Sequence, residues 1–400
     1  MPTADAHPPL HGLLVLDFTR VIAGPFLTQM LGDMGARVIK VEAPGGGDDF
    51  RHYKPDGWSG DAPGFMALNR NKESVVLDIR TAPGQAACRE LAARADVLIE
   101  NFRPDVMRRH GLDHARLAEI NPRLVYCSIS GYGHGGRYEQ VAGYDPIAQA
   151  ETGMMYLTGD AAMPPQKAGA SVADSYTSLH AGMAVMAALM ARHRTGLGQH
   201  VDVALFDSMF SVQGYMAQLA MMTGEDPPRA GNRSILLVPM GDYECADGTI
   251  MLVVGNDRQY RKFCLDVIER PDLVDAERYG TLALRLRNRQ QLEAEIASVL
   301  RGRPRAYWVE RLRAAGVPGG SVRTPREAVV SEEVRDRGLI WDSRYGGEAI
   351  QVVGSPMRLS ANPLRKPGPV PLLGEHTEAV LRELLDYDDE QIARLREVPS

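Results

Sequence analysis

The sequence predicts an α/β protein, with an open parallel sheet covered on both faces and a smaller domain inserted late into a discontinuous large one. Three observations lead there. Apolar runs of strand length alternate with helical stretches through the first half, the pattern of successive βαβ units. The chain has 400 residues, more than one core holds, since single cores stop growing at about 250–300 residues. A Pro- and Gly-rich stretch at 224–232 (GEDPPRAGN) then separates segments of different character.

Gly12–Thr19 (GLLVLDFT) reads as a buried strand, followed by a helix over Pro25–Gly35. Arg37–Glu42 (RVIKVE) and Ser74–Ile79 (SVVLDI) are the next strands. A helix over Gln85–Ala95 leads to the strand Asp96–Phe102, and two short helices lead to the strand Leu124–Ser130. From Asp174 to His193 one long helix is apolar on nearly every face, which predicts a central, buried position. A second helix should span Leu205–Met222 after the turn at Thr195–Gly198. Beyond the linker a more helical, Arg-rich unit carries a strand at Thr249–Val254 and helices around Gln259–Ile268 and Arg289–Leu300. Near Ile350 strand-like sequence returns, and a helix begins at about Thr377. The domains are therefore expected at 1–223 and 331–400 for the large one and 224–330 for the small one.

Composition excludes several classes. The formal charge of −6 gives no global field for gripping nucleic acid, so a bound anion needs a local basic cluster. Ala181–Ala191 is the longest apolar stretch, about half of the ~20 residues that cross a bilayer. The first residues, MPTADAHPP, lack the basic and apolar regions of a secretory signal. Cys88, Cys127, Cys245 and Cys264 lie far apart, which fits a reducing cytoplasm.

Familiar site motifs are missing. The first strand runs into DFTRVIAGP with a single glycine, not the GxGxxG that brings backbone against a pyrophosphate, and no Walker motif occurs. NAD, FAD and ATP are disfavoured. No zinc spacing and no GxSxG elbow occur, so no metal is expected. The glycine cluster Gly131–Gly136 reads as a flexible loop, although loops at strand carboxyl ends are where such sheets bind ligands. Arg103, Arg108 and Arg109, just past a strand, read either as a solvated helix face or as a phosphate clamp. The arginines of 285–305 alternate with Glu and Gln and read as surface. Asp174 opens the long helix. It reads as an N-cap or as a nucleophile whose charged form the helix N-terminus favours and burial opposes.

Several segments in register resemble the class III CoA-transferase family, which includes formyl-CoA transferases and carnitine CoA-transferases. They are LDFTRVIAGPFLTQMLGDMGARVIKVEAPGGGD, NRNKESVVLDIR, ADVLIENFRPDVMRRHGL, SISGYG, GYDPIAQAETG, VADSYTSLHAG, RTGLGQHVDVALFDSM and PLLGEHTEAVLREL, across about residues 12–385. The resemblance implies a Rossmann-like sheet in the large domain, a smaller α+β domain and an interlocked homodimer. It implies an acyl-CoA:carboxylate CoA-transferase that works on small molecules without ATP, metal or a permanently bound cofactor. Asp174 would attack the thioester, passing through an aspartyl anhydride and an aspartyl-CoA thioester. CoA contacts carry over to Ile79, Arg80, Asn101, Phe102 and Arg109, with Arg103 adjacent. Tyr144 and the loop holding Gly133 and His134 would border the thioester, and Arg20 and Ile22 the substrate pocket.

The related α-methylacyl-CoA racemases resemble GHD where this chain has Gly143-Tyr144-Asp145. Tyrosine, with an ordinary pKa of about 10, is a poor proton-abstracting base, which favours transfer. His134, nearby, keeps an isomerase in view. Ile22 stands where the oxalate-using branch resembles a glutamine pattern, and no glycine run occurs around Val254–Gln259. Both argue for transfer between larger acids. Frequency within the family points to succinyl-CoA as donor and a dicarboxylate as acceptor. Ser178 stands where many members have glycine, beneath the expected nucleophile.

Overall fold

The computed structural model describes residues 7–396. The chain divides into two compact units: the described part of Met1–Met154, Ala168–Ala217 and Glu333–Ser400, and Met155–Lys167 with Gln218–Glu332.

Besides an antiparallel pair, Ile340–Tyr345 with Glu348–Val353, the first unit holds six strands: β1 (Leu14–Asp17), β2 (Arg37–Glu42), β3 (Lys72–Val76), β4 (Val97–Glu100), β5 (Val125–Ser130) and β6 (His200–Ala204). They form one parallel sheet in the order β3-β2-β1-β4-β5-β6. Parallel strands are covered on both faces and so need apolar side chains on both, and every residue of β4 and β5 is buried. One apolar cluster (Leu91, Leu98, Leu117, Leu381) packs the Ala82–Arg94, His114–Ile120 and Thr377–Leu385 helices on the sheet. The other (Leu27, Ile99, Val185, Met209) packs the Ala23–Asp33, Val172–Thr195 and Leu205–Val212 helices. Strand order reverses between β1 and β4. The crevice beyond their carboxyl ends is where ligands bind in open α/β sheets.

The second unit has a three-stranded antiparallel sheet, formed by Met240–Cys245, Gly248–Val253 and Gly319–Ser321. Its separate core includes Tyr260, Phe263, Leu292, Leu312 and Trp308.

Three expectations change. The long helix is not buried all round. Ala173, Thr177, Ala181, Val185 and Ala188 face the core, whereas Met183 and Met190 are 73% and 64% exposed. The stretch 205–222 is two helices, Leu205–Val212 and Tyr215–Thr223, parted at Gly214, whose φ of +53° ends the first. Arg285 is not a surface arginine. It is fully buried, donating to Val238 O (2.9 Å) and Tyr279 O (3.0 Å) and pairing with Asp257 at 2.7 Å. A guanidinium with five donors can close a core this way when each finds an oxygen. Among the described residues no helix is long and apolar enough to cross a membrane.

Candidate active site

The sheet's switch point opens into a cavity of about 230 Å³, lined by Arg20, Val21, Ile22, Asn101, Phe102, Arg103, Gly131, Glu139, Tyr144 and Asp174 among others. Six residues expected from the sequence therefore meet Asp174 at one space: Arg20, Ile22, Asn101, Phe102, Arg103 and Tyr144. The β1 loop supplies Arg20 to Ile22, the β4 loop Asn101 to Arg103, and the start of the long helix Asp174.

Asp174 sits in the first turn of the Val172–Thr195 helix without capping it. Asp145, 28–29 residues upstream, does that work. Its Oδ1 accepts the amides of Ala173 (2.7 Å) and Asp174 (3.3 Å), while its Oδ2 accepts from Gln149 (2.7 Å). The helix's free donors thus have a buried acceptor. The Asp174 carboxylate is left on the cavity wall with no hydrogen bond among the described residues. Tyr144, 65% exposed, directly precedes the capping acid. Gly131 and Gly143 bring this segment close: a Cβ on Gly131 would lie 2.7 Å from Gly143 Cα, and one on Gly143 would lie 2.4 Å from Gly131 Cα, so any side chain would part the two loops.

A second cavity of about 330 Å³ lies beside the first and shares Arg20 and Phe102 with it. Ile79, Arg80, Val41, Pro44 and His110 also line it. Arg80 is exposed and already engaged, since its Nε and Nη2 donate to Asp78 at 2.8 and 2.7 Å. That pairing holds the Asp78 carboxyl below its ordinary value. Arg109, exposed on the short Asp105–Arg109 helix, lines neither cavity. Among the described residues its side chain makes one long bond, to Asp105 O at 3.4 Å, and no ion pair. Gly133 and His134 are also outside both linings. The His134 amide donates to Asp202 at 2.9 Å and its ring packs on His200, with 5.4 Å between centroids.

The sequence profile of CoA-transferase family III matches residues 10–377. The chain belongs to CoA-transferase family III. It is 39% identical over 384 residues, 94% of this chain and 96% of the other, to the succinate–glutarate CoA-transferase of Agrobacterium fabrum. It is 35% identical to the human succinyl-CoA:glutarate CoA-transferase, across 97% of this chain and 88% of that one. The crystal structure of a CAIB/BAIF family protein from Brucella suis superposes with a TM-score of 0.85 at 37% identity, covering 94% of this chain and all of the other.

In this family III CoA-transferase the expected opposition of burial to the charged form of Asp174 is large. Burial, with the neighbouring Asp145 charge, pushes its pKa up to about 7. A carboxyl perturbed in this direction and lying in a cleft is a candidate functional group. Beneath the cavity, Asp17, Lys40, Asp48 and Lys72 are all buried, with Lys72–Asp17 at 3.0 Å and Lys40–Asp48 at 2.9 Å. Burial pushes the Asp17 carboxyl up, but the Lys72 and Lys40 ammoniums more than offset it and hold it well below its ordinary value.

Sequence reading missed Asp145 as a cap, and missed Asp48, Asp49 and Glu139 near the site. Asp49 pairs with Arg20 at 3.1 Å, and the Arg20 guanidinium lies 4.8 Å from the Phe102 ring centre. Only the DP step at 145–146, a helix-start signal, marked Asp145 locally.

Proposed function

We propose that this enzyme moves CoA from succinyl-CoA, or another short acyl-CoA, to an organic dicarboxylate through covalent intermediates on Asp174. The observation that carries the reading is the Asp174 carboxylate, on a cavity wall and unbonded because Asp145 caps its helix. The carboxylate attacks the thioester carbon, the C–S bond breaks, and CoA thiolate leaves a mixed anhydride. The thiolate then attacks the Asp174 carbonyl carbon, forming the aspartyl-CoA thioester and releasing the donor acid. An acceptor carboxylate attacks that thioester and expels thiolate again. The thiolate takes the acceptor's acyl carbon and frees Asp174. One thioester replaces another, so no other energy source is needed. A carboxylate whose proton is held to about pH 7 is a stronger nucleophile than one at its ordinary value.

In this reading the reacting thioester lies beside Asp174 and Tyr144 and the CoA body extends toward Ile79 and Arg80, with Arg103 as a phosphate partner; Arg109, Gly133 and His134, outside both linings, would reach the ligand only from beyond them. Guanidinium forks match phosphate geometry. The relatives that turn over succinate, succinyl-CoA and glutarate support the donor and acceptor classes. The isomerase reading is not favoured. The relatives are transferases, and His134, the base it would need, lines neither cavity.

The proposal includes an interlocked homodimer in the cytoplasm, with the two compact units as its large and small domains. The exposed apolar stripe of the long helix (Tyr176, Leu179, Met183, Met190) is the kind of face a second copy would cover. The four unpaired cysteines suit a reducing compartment.

The test is CoA exchange between succinyl-CoA and a panel of carboxylates, including glutarate and oxalate, alongside incubation of branched acyl-CoA in deuterated water. Transfer to C4–C6 dicarboxylates, lost in Asp174→Asn, is expected. Exchange of the α-hydrogen without any acceptor would overturn the transferase mechanism.

A further inference from the structure

Val21 has φ +68°. For a β-branched residue this left-handed conformation is an outlier, sustained only where surroundings over-determine it. The surroundings here are side chains. Asp17 Oδ1 accepts the Thr19 amide at 2.9 Å, and Lys40 Nζ donates to the Thr19 carbonyl at 2.7 Å. Asn101 grips both polar groups of the next residue: its Oδ1 accepts the Arg20 amide and its Nδ2 donates to the Arg20 carbonyl, each at 2.8 Å. Asp48 Oδ1 accepts the Val21 amide at 3.0 Å, and its other oxygen is held by Lys40. Five successive backbone groups, from the Thr19 amide to the Val21 amide, are thus tied by side chains rather than by a sheet or helix ladder.

The gripped turn is a wall of the cavity that holds Asp174, with Arg20, Val21, Ile22 and Ala23 on its lining. At its far end the Ala23 carbonyl accepts from Ser178 Oγ at 2.5 Å, and that hydroxyl also lies 2.8 Å from the Asp174 carbonyl oxygen. The turn is therefore linked at one end to β4 through Asn101 and at the other to the helical turn that carries Asp174.

We propose that Asn101 and Asp48 are positioning residues, which hold the Thr19–Ala23 turn with Val21 left-handed so that this wall faces Asp174. The Asn101 amide is spent on Arg20 and acts on the reaction through the turn, rather than as a side-chain contact to CoA. This inference rests on Asp174 being the nucleophile.

Glycine takes a positive φ freely, so it removes the strain the clamp restrains. The experiment is a double-mutant cycle of Asn101→Ala and Val21→Gly, followed by steady-state CoA transfer from succinyl-CoA to glutarate. Asn101→Ala alone should lower kcat about 30-fold with KM for succinyl-CoA within about threefold, the signature of lost alignment rather than lost binding. In the Val21→Gly background the same change should cost less than about fivefold, because the turn no longer needs forcing. An equal loss in both backgrounds would overturn the clamp, as would an Asn101→Ala effect confined to KM. Asn101→Asp, which keeps the acceptor for Arg20 and loses the donor, serves the same cycle if the alanine variant does not fold. Turnover by Asp174→Asn would refute the nucleophile, whereas the clamp stands or falls on the coupling.

Discussion

Behind the cavity, Asp17, Lys40, Asp48 and Lys72 are buried and paired. At its mouth Arg103 is exposed, and neither it nor Arg109, on the helix beyond β4 and outside the lining, has an ion pair among the described residues. The same kinds of side chain serve opposite ends. Charges sealed in the sheet's end are matched one to one and fasten backbone, because an unmatched one there would be costly. Exposed charges gain little from pairing, even where they pair as Arg20 does with Asp49 and Arg80 with Asp78, so a ligand can recruit them at small cost. Asp174 lies between these extremes, buried enough to be pushed up to about 7 and open enough to meet a substrate.

The sharpest way to break this contrast is Lys72→Met. It removes the ion-pair partner of the buried Asp17 carboxylate, leaving it the Lys40 charge and the Thr19 and Thr28 hydrogen bonds, and the fold should lose about 3–5 kcal/mol by denaturant titration. A loss under 1 kcal/mol would mean that the buried set is not matched as described.

Asp174→Asn probes the middle ground. The unfolded chain releases this proton near the ordinary 3.8, the folded chain only near 7, so the native state bears the full cost above pH 7 and none below about pH 3.8. The variant should therefore be more stable than the parent by about 1–3 kcal/mol at pH 8, with the gain fading as pH falls toward 4. Thermal melts at the two pH values check it, and a gain independent of pH would contradict the account. Arg103→Ala on the rim and Arg109→Ala beyond it should each weaken acyl-CoA affinity about tenfold with Tm unchanged, and the effect should shrink in high salt. The smallest effect is expected from Ser178→Ala, about 0.5–1.5 kcal/mol for one hydroxyl bond, with acyl-CoA KM unaltered.

The sheet was legible because each strand is an apolar run bounded by turns. β6 (His200–Ala204) escaped because its burial is uneven, with His200 and Asp202 exposed. The long helix misled because its apolar faces all look alike in sequence, yet the described chain covers only one. The sequence singled out Asp174 as a candidate, but not the absence of a hydrogen bond to its carboxylate among the described residues. Capping by Asp145 spans 28 residues, and the Asn101 grip on Arg20 spans 81, distances at which no helical or strand periodicity carries a signal. Arg285 was misread because an arginine on an Arg-rich helix gives no local sign that carbonyls converge on it.

The most direct measurement is peptide mass spectrometry after incubation with succinyl-CoA and hydroxylamine trapping. A hydroxamate on Asp174, absent in Asp174→Asn and still formed in Arg109→Ala, is the predicted result. A trapped adduct on any other residue, or steady turnover with Asp174 never modified, would contradict it.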